Sequence, residues 1–219
     1  LYENWISKSD RIAKKNEANI SMFTRYVNDL EKITKYLDKK PHEISILEYG
    51  MGWGFWSRTA QSLNFDITGF EISKSRLNFV NNNNIKTIND IEKLKEKKFD
   101  FIYSFAVFEH ITYPKKTLLL LSNLLNEGGL IYIYVPNGFN IEKKLINKNW
   151  TASKDALHPL EHINCFNRKS LKILANEANM KIKKNIFLPR YKNKKSIISE
   201  ILKHIYNNSF STGVFLEKK

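Results

Sequence analysis

The stretch Ile44-Ser45-Ile46-Leu47-Glu48-Tyr49-Gly50-Met51-Gly52-Trp53-Gly54 constrains this chain more than any other. Ile44 to Tyr49 is a short apolar run of the kind that forms a buried strand. Three alternate glycines follow, and Phe55 to Leu63 then has helical spacing. A strand, a glycine turn and a helix open a nucleotide-binding α/β sheet. Glycines permit positive φ and let a ligand lie close to the main chain. The helix start offers amide groups to that ligand.

The glycine spacing narrows the ligand. A dinucleotide site needs Gly-x-Gly-x-x-Gly, but the turn here is Gly-x-Gly-x-Gly, with Glu48 two residues before it. An acid at that strand end suits a ligand with positive charge, such as the ammonium and sulfonium of S-adenosylmethionine. Glu71 closes a second apolar strand, Phe65 to Phe70, where an acid accepts ribose hydroxyls. With both acids in place, the chain resembles the class I S-adenosylmethionine-dependent methyltransferases, whose first motif is Asp/Glu-x-Gly-x-Gly-x-Gly.

Later segments extend the resemblance over roughly residues 44 to 190. Phe99-Asp100 opens a fourth strand, Glu109-His110 follows it, Gly128-Gly129 precedes a fifth strand and Pro136-Asn137 follows that one. His162 to Leu171 is similar to the segment entering the next helix in small-molecule members. The implied fold is a Rossmann-like, doubly wound, seven-stranded sheet of order 3-2-1-4-5-7-6, mostly parallel with one antiparallel strand. Residues 1–219 are read as one domain, with a helical cap over 1–40 and a core over 41–219. Ile20, Phe23, Tyr26, Val27, Leu30, Ile33 and Leu37 recur at helical spacing in that cap, which Pro41 ends.

Between these landmarks, helices are expected at Lys74–Asn82, Lys115–Leu125, Ser170–Ala178 and around Ile197 to Ile205. Short strands are expected at Lys86–Ile88, Leu130–Val135, Met180–Leu188 and Val214–Leu216, with a turn at Glu127–Gly129.

The resemblance also implies a site. Cofactor-binding positions are Glu48, Gly50, Met51, Gly52, Gly54, Glu71, Ile72, Asn89, Asp90, Phe105 and Ala106. Asp90 is equally suited to cap the helix beginning at Ile91. Tyr2, Trp5, Trp53, Asn137 and His158 are expected near the acceptor, although Tyr2 and Trp5 suit a domain flank as well as a lid. Methyl transfer to a hydroxyl needs alignment, exclusion of water and removal of a proton. Histidine has the suitable unperturbed pKa; His162 is the first choice of base and His110 the second. A histidine bonded to a loop carbonyl is the alternative for each. Related quinone O-methyltransferases hold a metal with Glu-x-x-Glu-His after the fourth strand. Ala106 stands at the first Glu position here, so that ligand set is incomplete and no metal is expected.

Composition bounds the partners. The net charge is +14, but Lys outnumbers Arg 30 to 6 and the chain carries 25 Asn against 8 Ala. That bias reads as a solvated lysine-rich face rather than a nucleic-acid surface, since base and phosphate readers lean on Arg. The turn after the fourth strand, Ser104-Phe105-Ala106-Val107, is not the Asn/Asp-Pro-Pro-Tyr-like turn of amino-methylating nucleic-acid enzymes. Cys165 follows Asn164, not the proline usual before a cytosine-methylating cysteine. A small soluble acceptor is therefore expected, with the Asn149-Trp150-Thr151 loop as part of its surroundings. The leading expectation is an oxygen of a sugar, nucleotide-linked or phosphorylated glycan precursor in bacterial surface-polysaccharide biosynthesis. The alternatives are a quinone or lipid-precursor O-methyltransferase and a non-catalytic methyltransferase-like binder.

No apolar run approaches the roughly 18 to 20 residues of a membrane span, and one cysteine permits no internal disulfide. A cytoplasmic location is expected. The chain begins at Leu1 rather than Met, which leaves open what precedes it; the oligomeric state is left open too.

Overall fold

The computed structural model describes residues 19–81, 84–146, 156–158, 161–183 and 212–219. Tyr2, Trp5, the Asn149-Trp150-Thr151 loop, the expected Ile197 to Ile205 helix with His204, and the part of the Met180–Leu188 strand beyond residue 183 lie outside them. The described strands, β1 (Ser45–Tyr49), β2 (Asp66–Phe70), β3 (Lys86–Ile88), β4 (Phe99–Phe105), β5 (Leu125–Tyr134), β6 (Met180–Lys183) and β7 (Gly213–Lys218), form one seven-stranded sheet in the order β3-β2-β1-β4-β5-β7-β6. This is the order expected, and the described residues fall into two compact units.

The first unit comprises the described residues up to Tyr103 together with Leu124–Gly129. It begins with α1 (Ile20–Leu37), whose cap Asn19 accepts a hydrogen bond from the Met22 amide at 2.9 Å. Asp38 ends α1 in the left-handed conformation at φ 50°. Only Leu30 and Ile33 of its apolar stripe are buried; Ile20, Phe23 and Val27 are exposed. Phe23 meets Phe55 edge-on at 6.3 Å between ring centres, bringing α1 against the start of the next helix.

β1 (Ser45–Tyr49), β2 (Asp66–Phe70) and β3 (Lys86–Ile88) pair in parallel, with Ser45 opposite Asp66 and Thr68 opposite Lys86. β1 also pairs in parallel with β4 (Phe99–Phe105), Ile46 opposite Phe101. Ile46 and Leu47 are fully buried although they point to opposite faces, which explains why apolar residues stand at adjacent positions of this central strand. The crossovers are α2 (Phe55–Ser62), α3 (Lys74–Asn81) and the short α4 (Ile91–Lys95).

At the strand starts, the buried Asp100 carboxylate accepts from the Ser45 amide and hydroxyl, each at 2.9 Å, and from Lys39 and Asn126, each at 3.0 Å. Burial pushes its pKa up, but these donors outweigh burial and hold it below the ordinary value.

The second unit comprises Ser104–Asn123 and the described residues from Leu130 onward. A single 3-10 turn, Phe108–His110, leads to α5 (Pro114–Asn123), and α6 (Ile141–Ile146) and α7 (Arg168–Glu177) follow further on. Asn167 caps α7 by accepting from the Ser170 amide while its own amide donates to Ser170 Oγ. β7 (Gly213–Lys218) runs antiparallel to both β5 and β6 (Met180–Lys183), pairing Ile131 with Leu216 and Met180 with Lys218.

One boundary differs from expectation. β5 runs from Leu125 to Tyr134, so Glu127–Gly129 lies within a strand rather than forming the turn before it, and α5 ends at Asn123. Gly128 keeps a positive φ of 71° inside β5. A Cβ on Gly129 would come 2.9 Å from the Asp100 carbonyl oxygen. Gly129 thus serves close backbone approach and Gly128 the positive φ, uses that sequence reading confuses with a turn between helix and strand.

Candidate active site

In the first unit, the glycine turn joins β1 to α2. Gly50, Gly52 and Gly54 all have positive φ, at 80°, 56° and 70°. Their surroundings differ. A Cβ on Gly52 would meet nothing within 4 Å, so this glycine presents an open main-chain surface. A Cβ on Gly54 would press on Val80 Cγ2 at 3.1 Å and Ile85 Cδ1 at 3.3 Å, so Gly54 serves packing. Met51 turns its side chain into the core with Leu77, Val80 and Ile85 and occupies the space that a Cβ on Gly69 would take.

The turn uses its own donors. The Gly50 and Met51 amides donate to the Phe70 carbonyl at 2.9 and 3.1 Å, and the Gly54 amide to the Met51 carbonyl at 2.9 Å. The Gly52 amide donates to Glu71 Oε2 at 2.9 Å. A phosphate cradle requires such amides to face the ligand; here four of them face the protein.

Glu48 also turns to the protein. Its Oε2 accepts from the Ser57 amide at 2.9 Å and from the Ser57 hydroxyl, which makes Glu48 an N-terminal cap of α2. The helix start therefore spends an amide on the acid instead of offering it outward. Burial, opposed by these two bonds, raises the Glu48 pKa to about 8. Glu71 is likewise buried. Its Oε1 accepts from the Ile72 and Ser73 amides at 2.9 Å each, and Arg76 lies 3.5 Å from Oε2. Ile72 beside it is 74% exposed, an apolar surface next to an acid. Asp90 caps α4 by accepting from the Glu92 amide at 3.0 Å, and Asn89 is exposed. Trp53 packs edge-on against Phe79 at 5.4 Å between centres.

In the second unit, β4 ends at Phe105, whose ring stacks on Tyr134 at 4.3 Å. Ala106 follows at φ 55°, unfavourable for a residue with a Cβ, and its amide donates to the Tyr134 carbonyl at 2.9 Å. Next come Glu109 and His110. Glu109 is 2% exposed and neither carboxylate oxygen has a hydrogen-bond partner. Burial raises its pKa to about 7.

His110 and His162 come together, 4.9 Å between ring centres, and His158 lies 5.4 Å from His162. His110 Nδ1 sits 2.7 Å from the Glu161 carbonyl oxygen, so a neutral ring carries its proton on Nδ1 and its lone pair on Nε2. The carbonyl-bonded alternative is thus realised for one nitrogen of His110. His162 Nδ1 is buried without a partner. Asn137 accepts from the Phe139 amide at 3.0 Å and shapes the loop after β5.

Sequence reading gave no role to Asn164, which organises this cluster. Its amide donates to the Glu109 carbonyl at 3.0 Å, and its side-chain nitrogen donates to the Ile111 and Phe108 carbonyls at 2.7 and 3.3 Å. No spacing rule signals a side chain that bonds backbone more than fifty residues away.

Residues 21–185 match the model of a family described as a methyltransferase domain. None of the curated proteins matches the sequence. Among solved structures, the plantazolicin methyltransferase BpumL, in complex with a triazolic desmethylPZN analog and SAH, is similar at 21% identity and TM-score 0.61, over 97% of this chain and 91% of that one. Magnesium protoporphyrin IX methyltransferase (ChlM) from Synechocystis PCC 6803, with bound SAH, is similar at 11% identity and TM-score 0.63, over 96% and 94%. A putative sarcosine dimethylglycine methyltransferase from Galdieria sulphuraria is similar at 16% identity and TM-score 0.57, over 93% and 86%.

Proposed function

Because the chain belongs to the methyltransferase-domain family and uses S-adenosylmethionine, we propose that it methylates an oxygen of a small organic acceptor. The observation that carries the cofactor side is the open face of Gly52 beside Glu71 and the exposed Ile72. Gly52 leaves room for the ligand at the main chain, Glu71 accepts ribose hydroxyls, and Ile72 supplies an apolar surface for the adenine. Asn89 and Asp90 border the base. Glu48 acts through Ser57 by holding the start of α2. When bound, S-adenosylmethionine supplies a methyl group on a sulfonium, open to in-line displacement.

His162 and His110 are the residues proposed to handle the acceptor oxygen and its proton, with His158 beside them. Trp53, Phe105, Ala106 and Asn137 complete the proposed set. A small acceptor is favoured by the similar structures, which are named for plantazolicin, magnesium protoporphyrin IX and sarcosine dimethylglycine. The surface-glycan setting rests on the sequence resemblance alone. Among the described residues no helix is long and apolar enough to cross a membrane.

A mass-shift screen with S-adenosylmethionine tests this reading against sugars, nucleotide sugars, phosphorylated metabolites and quinone precursors. A gain of one methyl group on a hydroxyl-bearing acceptor is the expected result. His162→Ala should then lower turnover by about 10² to 10⁴ with S-adenosylhomocysteine affinity nearly intact, and His110→Ala by less. Methylation of amines alone would replace the oxygen reading, and salt-sensitive, sequence-selective nucleic-acid binding would replace the small-molecule one.

A further inference from the structure

The least explained group in the described residues is the Glu109 carboxylate. It is 2% exposed, both oxygens lack a hydrogen-bond partner, and no ion pair to it is found among the described residues. A buried acid without partners is costly. Its neighbours are two imidazoles. One nitrogen or oxygen from each of Glu109, His110 and His162 lies within 4.8 Å of the other two. We propose that these three residues bind a divalent transition-metal ion.

The donor set and its supports agree. Ligands about 2.0 to 2.2 Å from a tetrahedral ion lie roughly 3.3 to 3.6 Å apart, so atoms within 4.8 Å of one another need to close by no more than about 1.5 Å on binding. The Glu161 carbonyl takes the Nδ1 proton of His110 and leaves Nε2 as the donor atom, a support often found behind metal-bound histidines. Asn164 fixes the carbonyls on both sides of Glu109-His110, while the His162 amide is tied to the His158 carbonyl at 2.9 Å. Two imidazoles with one carboxylate favour zinc, iron, cobalt or manganese over calcium or magnesium. Three protein ligands leave positions open, which suits an ion that holds an acceptor oxygen.

The site differs from the Glu-x-x-Glu-His set considered in the sequence. His162, from a distant segment, supplies the third ligand, and Ala106 contributes none. The binding claim stands on the cluster itself; the ion's role toward an acceptor oxygen rests on the methyltransferase reading above.

The test uses the full chain, stripped with chelator and titrated separately with Co²⁺ and with S-adenosylhomocysteine. The expected result is uptake of one Co²⁺ per chain with visible ligand-field bands, weakened at least tenfold by Glu109→Gln and by His110→Ala. If Glu109→Gln does not fold, His162→Asn at its half-buried position carries the same comparison. The inference is overturned if the stripped chain takes up no Co²⁺, or if folded variants take it up as well as the parent. Co²⁺ uptake with those losses supports the site even where S-adenosylhomocysteine fails to bind, an outcome that would count against the cofactor reading alone.

Discussion

The Gly52 amide donates a 2.9 Å hydrogen bond to Glu71 Oε2, so the acid ending one strand holds the middle glycine of the turn after its neighbour. Glu71 therefore fixes the turn, in addition to its proposed role of accepting ligand hydroxyls. Glu71→Ala should weaken S-adenosylhomocysteine binding by about 1.5 to 3 kcal/mol, the range for hydrogen bonds to a charged group. Titration calorimetry on the folded variant measures this, and unchanged affinity would remove Glu71 from the site.

Gly52 and Gly54 should fail in different ways. Gly52→Val places a branched side chain in open space at positive φ, so cofactor titration should be lost. Gly54→Ala instead drives a methyl group into Val80 and Ile85 and should lower stability by about 1 to 3 kcal/mol. Denaturant midpoints and cofactor affinities, taken together, separate the two.

Stability should fall as pH rises from mildly acidic to mildly alkaline, because of Glu48. Its folded pKa of about 8 exceeds the ordinary value of 4.5. The folded state therefore holds the proton more tightly than the unfolded state. The contribution is complete below the unfolded pKa and is lost as pH rises through the folded one, a change on the order of 5 kcal/mol. Glu48→Gln should flatten melting temperature against pH over that window, and an unaltered slope would assign the effect elsewhere.

Asp100 should give the opposite slope. Its folded pKa is depressed, so its contribution is complete above the unfolded value and disappears as pH falls through the folded one. Asp100→Ala should cost about 2 to 4 kcal/mol at neutral pH, because Ser45, Lys39 and Asn126 lose a shared acceptor. The difference from the parent chain, followed by denaturant unfolding, should narrow in acid.

Much of the sheet was legible because local signals agreed with their surroundings. Ile44 to Tyr49 and Phe99 to Phe105 are rich in apolar residues and buried along nearly their whole length, and both supply parallel strands. Gly128-Gly129 misled because two glycines serve a turn and a close strand approach equally well. In the candidate site, the residue types stood in the sequence but their partners did not. Glu48 looked ligand-directed, yet its orientation depends on Ser57, nine residues later and one helix turn in. Met51 belonged to a glycine motif by position and to the core by side chain. Adjacency marked Glu109 and His110, but the lack of any partner for the Glu109 carboxylate is a property of the folded chain alone.

The inward-facing amides of the glycine turn bear on how cofactors are told apart. A turn that captures phosphate through outward amides attracts any anion, and its affinity falls with added salt. Here Gly50, Met51, Gly52 and Gly54 donate to Phe70, Glu71 and Met51 instead. In the proposed site, selection comes from shape at Gly52 and from an acceptor at Glu71, neither of which an anion can satisfy. S-Adenosylhomocysteine affinity should stay nearly constant from low to high ionic strength, and free nucleotides and inorganic phosphate should compete poorly in the same titration. Abundant cellular anions would then leave the turn available to its own ligand.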